Sequence, residues 1–331
     1  MAETLTGVKI GTRGSKLALT QTGQVTEQLV AVSGLAADIV PVKTDGDVLT
    51  GPLSQMGGTG VFAAELRAAV LDGRVDVAVH SLKDLPTAAV PGLALAAVPV
   101  RADARDALCS RDGLTLAQLP HGASVGTGSP RRAAQLLAAR NDLLIVDIRG
   151  NVDTRLARVP GLPGNALVDP EPGKAADLDA VVLAASGLTR IGRLDTVTEF
   201  LATDVMLPAP GQGALALECR TADAELTGVL GQSLSAIDDQ DTRLAVTAER
   251  ALLARLEAGC AAPVGALGLR KGSMLYLEAV VVSLDGTRSL RLKKATDALT
   301  VVGATLLGIE LAEELLAGGA GDFADLAGSS K

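Results

Sequence analysis

The chain has 331 residues and a formal net charge of −8, and at about 100–200 residues per domain it should hold two or three domains with cores of their own. The acidic balance excludes a generic nucleic-acid binder, which needs a basic footprint, and with Phe62, Phe200, Phe323 and Tyr276 as its aromatic residues the chain offers few platforms for stacked bases. The opening residues lack a basic start followed by an apolar run, and no run approaches about 18 apolar residues, so a cytoplasmic protein without membrane contact is expected.

Short β-rich runs alternate with helical patterns through the first two hundred residues. "VKIGT" (Val8 to Thr12) predicts a strand, Ser15 to Val32 a helix, "ADIVPV" a strand, Val61 to Asp72 a helix, and "VDVAVH" (Val75 to His80) a buried strand. The pattern restarts after "VRADARDAL": "ASVGT" predicts a strand, Pro130 to Arg140 a helix, "LLIVDI" a strand, Val152 onward a short helix, and "DAVVLAA" a strand before a helix near Gly187. Two α/β units with largely parallel sheets follow from that alternation, with a cleft between them. "PGLPGNALVDPEPG", from Pro160 to Gly173, is too rich in Pro and Gly for regular structure and predicts an exposed loop. From about Asp238 the texture changes to a long helix through Glu257, three β-rich runs and a helix from Val302 to Gly318. That is the pattern of a smaller α+β domain with an antiparallel sheet.

Basic residues fall at the strand-to-helix junctions. "GTRGS" places Arg13 on a turn with Ser15 as a candidate N-cap, and "GTGSPRR" places Thr127 and Ser129 before Pro130, with Arg131 and Arg132 in the first helical turn. "IRGNVDTRL" adds Arg149, a candidate Asn151 cap and Arg155. "ASGLTRIG" adds Ser186 as a candidate cap, with Arg190 one turn later. Cations in a first turn oppose the helix dipole by roughly 0.3–1 kcal/mol each, whereas a bound anion reverses that sign. One such arginine is most simply a surface charge or the partner of a nearby Asp. Several on one sheet edge point to a ligand carrying carboxylates or phosphates. "HSLKDLPT" places Ser81, Lys83 and Asp84 where a strand leaves the sheet, and Asp84 can stabilise a cation in an arginine-lined cleft. His80 reads as a hydrogen-bonded residue near the core.

Three cysteines without close pairing disfavour a disulfide framework, and with only His80 and His121 available no metal site is expected. Cys109 and Cys219 read as small buried residues. Cys260, in "RLEAGCAAPVGA", is open to four readings: core residue, metal ligand, nucleophile or attachment point. Its neighbourhood alone favours burial, and neither histidine is a convincing partner for a nucleophile. A two-lobed anion receptor without chemistry also remains compatible with the first two units.

Taken in order, "IGTRGSKLAL", "VDVAVHSLKDLPT", "GTGSPRRAAQL", "IRGNVDTRL", "LPAPGQGALALECR", "TAERALLARLEAGCAAPVGA" and "LAEELL" resemble the porphobilinogen deaminase (hydroxymethylbilane synthase) family over nearly the whole chain. The resemblance implies two α/β domains like type II periplasmic binding proteins, plus a smaller α+β C-terminal domain. The expected boundaries are 1–103 with 213–231, then 104–212, then 236–331. It implies a transferase that condenses four porphobilinogen molecules on a dipyrromethane primer, releasing ammonia and a linear tetrapyrrole. The primer would be held by a thioether to Cys260, and a monomer is expected. Asp84 matches the catalytic position. Lys83, Ser81, Ser129, Arg131, Arg132 and Thr127 match cofactor-binding positions, and Arg13, Ser15, Phe62, Arg149, Arg155 and Arg190 match substrate-binding ones. Gln55 and Thr59 stand where many relatives carry lysines, Asp45 where an arginine is usual, and the loop from Pro160 to Gly173 is longer than typical.

Overall fold

The computed structural model describes residues 7–43, 63–164, 176–258, 262–324 and 326. Asp45, Gln55, Thr59, Phe62, Cys260 and most of the loop from Pro160 to Gly173 therefore lie outside the described residues.

The first sheet contains β1 (Gly7–Thr12), β2 (Ala36–Pro41), β3 (Val77–Ser81), β4 (Leu93–Ala97) and β10 (Leu215–Arg220), in the order β2-β1-β3-β10-β4. Strands β1, β2 and β3 are parallel, while β10 runs antiparallel to both of its neighbours. The second sheet repeats this plan with β5 (Asp106–Ser110), β6 (Ser124–Gly126), β7 (Leu144–Val146), β8 (Ala180–Ala184) and β9 (Glu199–Phe200), in the order β7-β6-β8-β5-β9, with β5 as the antiparallel strand. The expected largely parallel sheets are present, each with one reversed strand. Those reversed strands, "DALCS" and "LALECR", are wholly or almost wholly buried, and they read as apolar runs because helices cover both faces. Cys109 and Cys219 lie within them as buried free thiols.

Helices α1 (Lys16–Ser33) and α2 (Ala64–Leu71) serve the first sheet, and α3 (Pro130–Ala139), α4 (Val152–Leu156) and α5 (Ala185–Arg190) serve the second. Helix α6 (Val229–Ala236) packs against α1 and β4. Two chain segments cross between the sheets, 98–105 and 201–214, and they bond to each other through the Ala102 amide and the Gly213 carbonyl at 3.2 Å. Gly213 has φ +88°, and a Cβ there would stand 2.6 Å from the Ala102 carbonyl oxygen, so only glycine fits the crossing.

The C-terminal unit is a three-stranded antiparallel sheet of β11 (Val264–Lys271), β12 (Met274–Val282) and β13 (Ser289–Thr296), packed on α7 (Gln240–Arg255) and α8 (Val301–Ala317). Its core is built from Leu, Val and Ala, with Leu252, Leu275, Leu277 and Leu311 fully buried. The unit touches both lobes. Val246 of α7 joins the cluster holding Leu82 and Leu85 of the first, and Val280 and Val282 pack with Ala134 and Leu207 of the second.

Candidate active site

In the first lobe, β3 ends at Ser81 and the chain makes a single 3₁₀ turn, Leu82–Asp84. Leu82 and Leu85 are buried on either side of Lys83 and Asp84, so the apolar residues pin the turn and leave Asp84 exposed. The Leu82 amide donates to the Ala214 carbonyl at 3.0 Å. From α7, Arg250 donates to the carbonyls of Leu85 and Pro86 at 2.8 and 2.7 Å. Below the turn, the buried Glu218 carboxylate of β10 receives two Arg67 hydrogen bonds at 2.9 Å and faces His80 Nε2 at 3.2 Å. Burial would raise the Glu218 carboxyl, but His80 and Arg67 outweigh it and hold it down at about 2.

In the second lobe, Gly128 lets the turn after β6 pass against the next strand's end, where a Cβ would stand 2.6 Å from the Ile148 carbonyl oxygen. Thr127 is buried and its hydroxyl accepts from the Ser129 amide at 3.2 Å. Arg131 and Arg132, 4% and 6% exposed, both meet the fully buried Asp106 carboxylate that opens β5. Arg132 donates twice to Asp106 Oδ1, at 3.0 and 2.7 Å, and Arg131 Nη1 lies 2.8 Å from Oδ2. Arg131 also donates to the Leu207 carbonyl, and Arg132 to that of Val182. Burial works against the Asp106 carboxylate, yet the two guanidinium groups hold its proton affinity well below the usual carboxylate range.

These two centres share one electrostatic field. Burial pushes the Lys83 ammonium down to about 8, with Arg132 and Arg131 adding to that effect and Asp84 and Asp106 opposing it. Burial likewise lowers Arg155 to about 10, helped by Arg132 and Arg149 and opposed by Asp147 and Asp84. Lys83, Asp84, Arg131, Arg132, Arg149 and Arg155 are thereby brought together. Arg13 is partly buried after β1, on the same sheet edge as Ser81 after β3, because those strands are parallel neighbours. Ser15 is exposed, and its hydroxyl accepts from the Ala18 amide as the cap of α1.

Two local expectations are corrected. Ser129 occupies the N-cap position of α3, but its side chain makes no cap bond; its own amide donates to the Thr127 hydroxyl. Ser186 is not a cap: α5 begins at Ala185, so Ser186 is buried inside it. Arg190 consequently ends that helix, where a cation suits the dipole, and donates to the Gly213 carbonyl at 2.8 Å. Arg155 sits in the last turn of α4, while Asn151 caps that helix through the Thr154 amide as expected.

Sequence reasoning missed Asp106, Gln212, Glu218 and Glu249. All four are buried polar residues in otherwise apolar or small-residue surroundings, and a buried charge must be paired. Glu249 of α7, fully buried, accepts from Arg101 at 2.5 and 3.1 Å, from the Gly211 amide at 2.6 Å and from the Gly268 amide at 2.7 Å. Acids inside the runs "DALCS" and "LALECR" were the legible signal.

The dipyrromethane expected here carries acetate and propionate groups, and the residues present fit it. Arg131 Nε and Arg149 Nε are buried without hydrogen-bond partners. The mutual repulsion around Arg155 is what a carboxylate relieves. Among the described residues no cluster of potential metal ligands occurs, and no helix is long and apolar enough to cross a membrane.

Fold and site together define a multidomain α/β protein in which a buried arginine pair on Asp106 and an exposed aspartate, Asp84, act on the same lysine, Lys83. The family model described as "Porphobilinogen deaminase, dipyromethane cofactor binding domain" matches residues 8–228, and "Porphobilinogen deaminase, C-terminal domain" matches 243–317. Porphobilinogen deaminase of Cutibacterium acnes is 55% identical, with 98% of this chain and 99% of the relative covered. That of Micrococcus luteus is 52% identical over 95% of this chain and 93% of the relative. Among solved structures, the Bordetella pertussis BvgS VFT2 domain aligns at TM-score 0.38 and 17% identity, over 71% of this chain and 90% of that one. A Coxiella burnetii periplasmic substrate-binding protein of an ABC transporter aligns at TM-score 0.40 and 17% identity, over 70% and 91%. The chain belongs to the porphobilinogen deaminase family. Its activity is that of hydroxymethylbilane synthase, the polymerisation of porphobilinogen in tetrapyrrole biosynthesis.

Proposed function

We propose that Asp84 is the catalytic group of this transferase and that Cys260 tethers the dipyrromethane through a thioether. The observation that carries the first assignment is an exposed carboxylate on a turn pinned from three sides, beside Lys83 and facing the field of Arg155. When bound, the dipyrromethane supplies the free pyrrole α-carbon at which chain growth starts. Asp84 accepts the pyrrole N–H of porphobilinogen as ammonia departs and stabilises the cation left behind. Lys83, with Ser81, Thr127, Ser129, Arg131 and Arg132, holds the cofactor side of the cleft. Arg13, Ser15, Phe62, Arg149, Arg155 and Arg190 hold the incoming substrate. Arginine suits this task because its planar fork can take a carboxylate through two N–H groups.

For Cys260 the support is its sequence position, shortly after α7 ends at Arg255, a helix whose Arg250 grips the Asp84 turn. Buried free thiols at Cys109 and Cys219 agree with a reducing, cytoplasmic setting. The test pairs Asp84→Ala with Cys260→Ser. Asp84→Ala should fold and lose about 10²–10⁴-fold in kcat, and Cys260→Ser should lack the two-pyrrole mass adduct of the parent protein. Near-normal turnover in Asp84→Ala, or an adduct persisting in Cys260→Ser, would remove the respective assignment.

A further inference from the structure

Gln212 lies on the second chain crossing and is fully buried, between two glycines of positive φ, Gly211 and Gly213. Its side-chain amide uses both donors within one lobe: Nε2 gives hydrogen bonds to the Ala104 carbonyl at 2.8 Å and to Asp106 Oδ1 at 2.9 Å. Its Oε1 faces the other lobe, 3.4 Å from Lys83 Nζ. The backbone carbonyl of Gln212 accepts from Arg101 Nε at 2.7 Å, and Arg101 is itself held by Glu249 of the C-terminal unit. One residue thus touches the Lys83 turn of the first sheet and the Asp106 carboxylate that carries Arg131 and Arg132 in the second.

We propose that Gln212 is a positioning residue that registers the Lys83–Asp84 turn of one lobe against the Asp106–Arg131–Arg132 centre of the other and sets the charge state of Lys83. The proposal rests on the roles assigned above to Lys83 and Asp84. Its chemistry follows from the amide: a neutral acceptor for Lys83 and a neutral donor for Asp106 can both be met by Gln, whereas a carboxylate or an ammonium could satisfy only one of them. Lys83 is surrounded by Asp84 on its own turn, Asp106 of β5, and Arg131 and Arg132 of α3. With an affinity near 8 in that field, its protonation responds to a change of acceptor within the working pH range.

The decisive measurement is the Lys83 side-chain titration by NMR in the full chain as purified, with pH profiles of kcat alongside. Gln212→Ala removes an acceptor and should move the Lys83 midpoint and the alkaline limb of kcat down in pH. Gln212→Glu, nearly isosteric, supplies a negative charge and should move both up. In Gln212→Ala, loss of register should also lower kcat by about ten- to a hundredfold. A residue that only fills space would shift Tm and leave the Lys83 midpoint alone, so an unmoved midpoint in both variants overturns the proposal. If Gln212→Ala fails to fold, Gln212→Met, which fills the same space without an acceptor for Lys83, takes its place and should move the Lys83 midpoint down, and an unmoved midpoint there overturns the proposal. The NMR midpoint is independent of turnover, so activity surviving in Asp84→Ala would count against the site assignment without touching the Gln212 result.

Discussion

The two strand-to-helix junctions "GTRGS" and "GTGSPRR" occupy the same place in two sheets of the same strand plan, yet they spend their residues differently. At the first, Ser15 caps α1 and Arg13 stays outside the helix. At the second, the serine hydroxyl makes no cap bond, proline starts α3, and both arginines turn inward onto a buried aspartate. The difference lies in what stands behind each junction. The antiparallel strand of the second sheet opens with Asp106, whereas that of the first sheet carries Glu218 further along, engaged by Arg67 and His80. A repeated motif therefore leaves its arginine outside the helix in one lobe and builds a preassembled cationic centre in the other.

The largest expected effect comes from removing the feature that separates the junctions. Asp106→Asn leaves two buried guanidinium groups without their counter-charge and should cost about 3–5 kcal/mol of stability, read from denaturant unfolding. An effect below about 1 kcal/mol would make the second junction no different from the first. The pH dependence has a definite sign. Because the folded Asp106 carboxyl lies below its unfolded value, its contribution is complete above the unfolded carboxylate range of about 3.9 and is lost as pH falls through the folded one.

A smaller and more discriminating effect should separate the arginines. Arg132→Gln should lower stability more than Arg13→Gln, since Arg132 makes two bonds to a buried carboxylate and one to a carbonyl. Arg13→Gln should act chiefly on KM for porphobilinogen. Equal losses of stability would undo the contrast. The smallest effect concerns the serines: Ser15→Ala should cost about 0.5–2 kcal/mol through its cap bond, while Ser129→Ala, with no cap bond to lose, should leave thermal unfolding nearly unchanged.

The chain's own sequence determined the alternation of strands and helices, the change of texture near Asp238, and the gathering of basic residues at strand ends. Those features follow from local periodicity and turn chemistry, which neighbouring residues carry among themselves. It also made "HSLKDLPT" legible as the end of a buried strand. Tertiary structure alone decided which arginines meet an internal acid, because Asp106 is about 25 residues from Arg131 and Arg132 in sequence and only sheet pairing brings them together. The same holds for Gln212, which meets Lys83 across 129 positions and Asp106 across 106. Charge pairing in a buried site depends on three-dimensional proximity and burial, and neither has a period in the sequence.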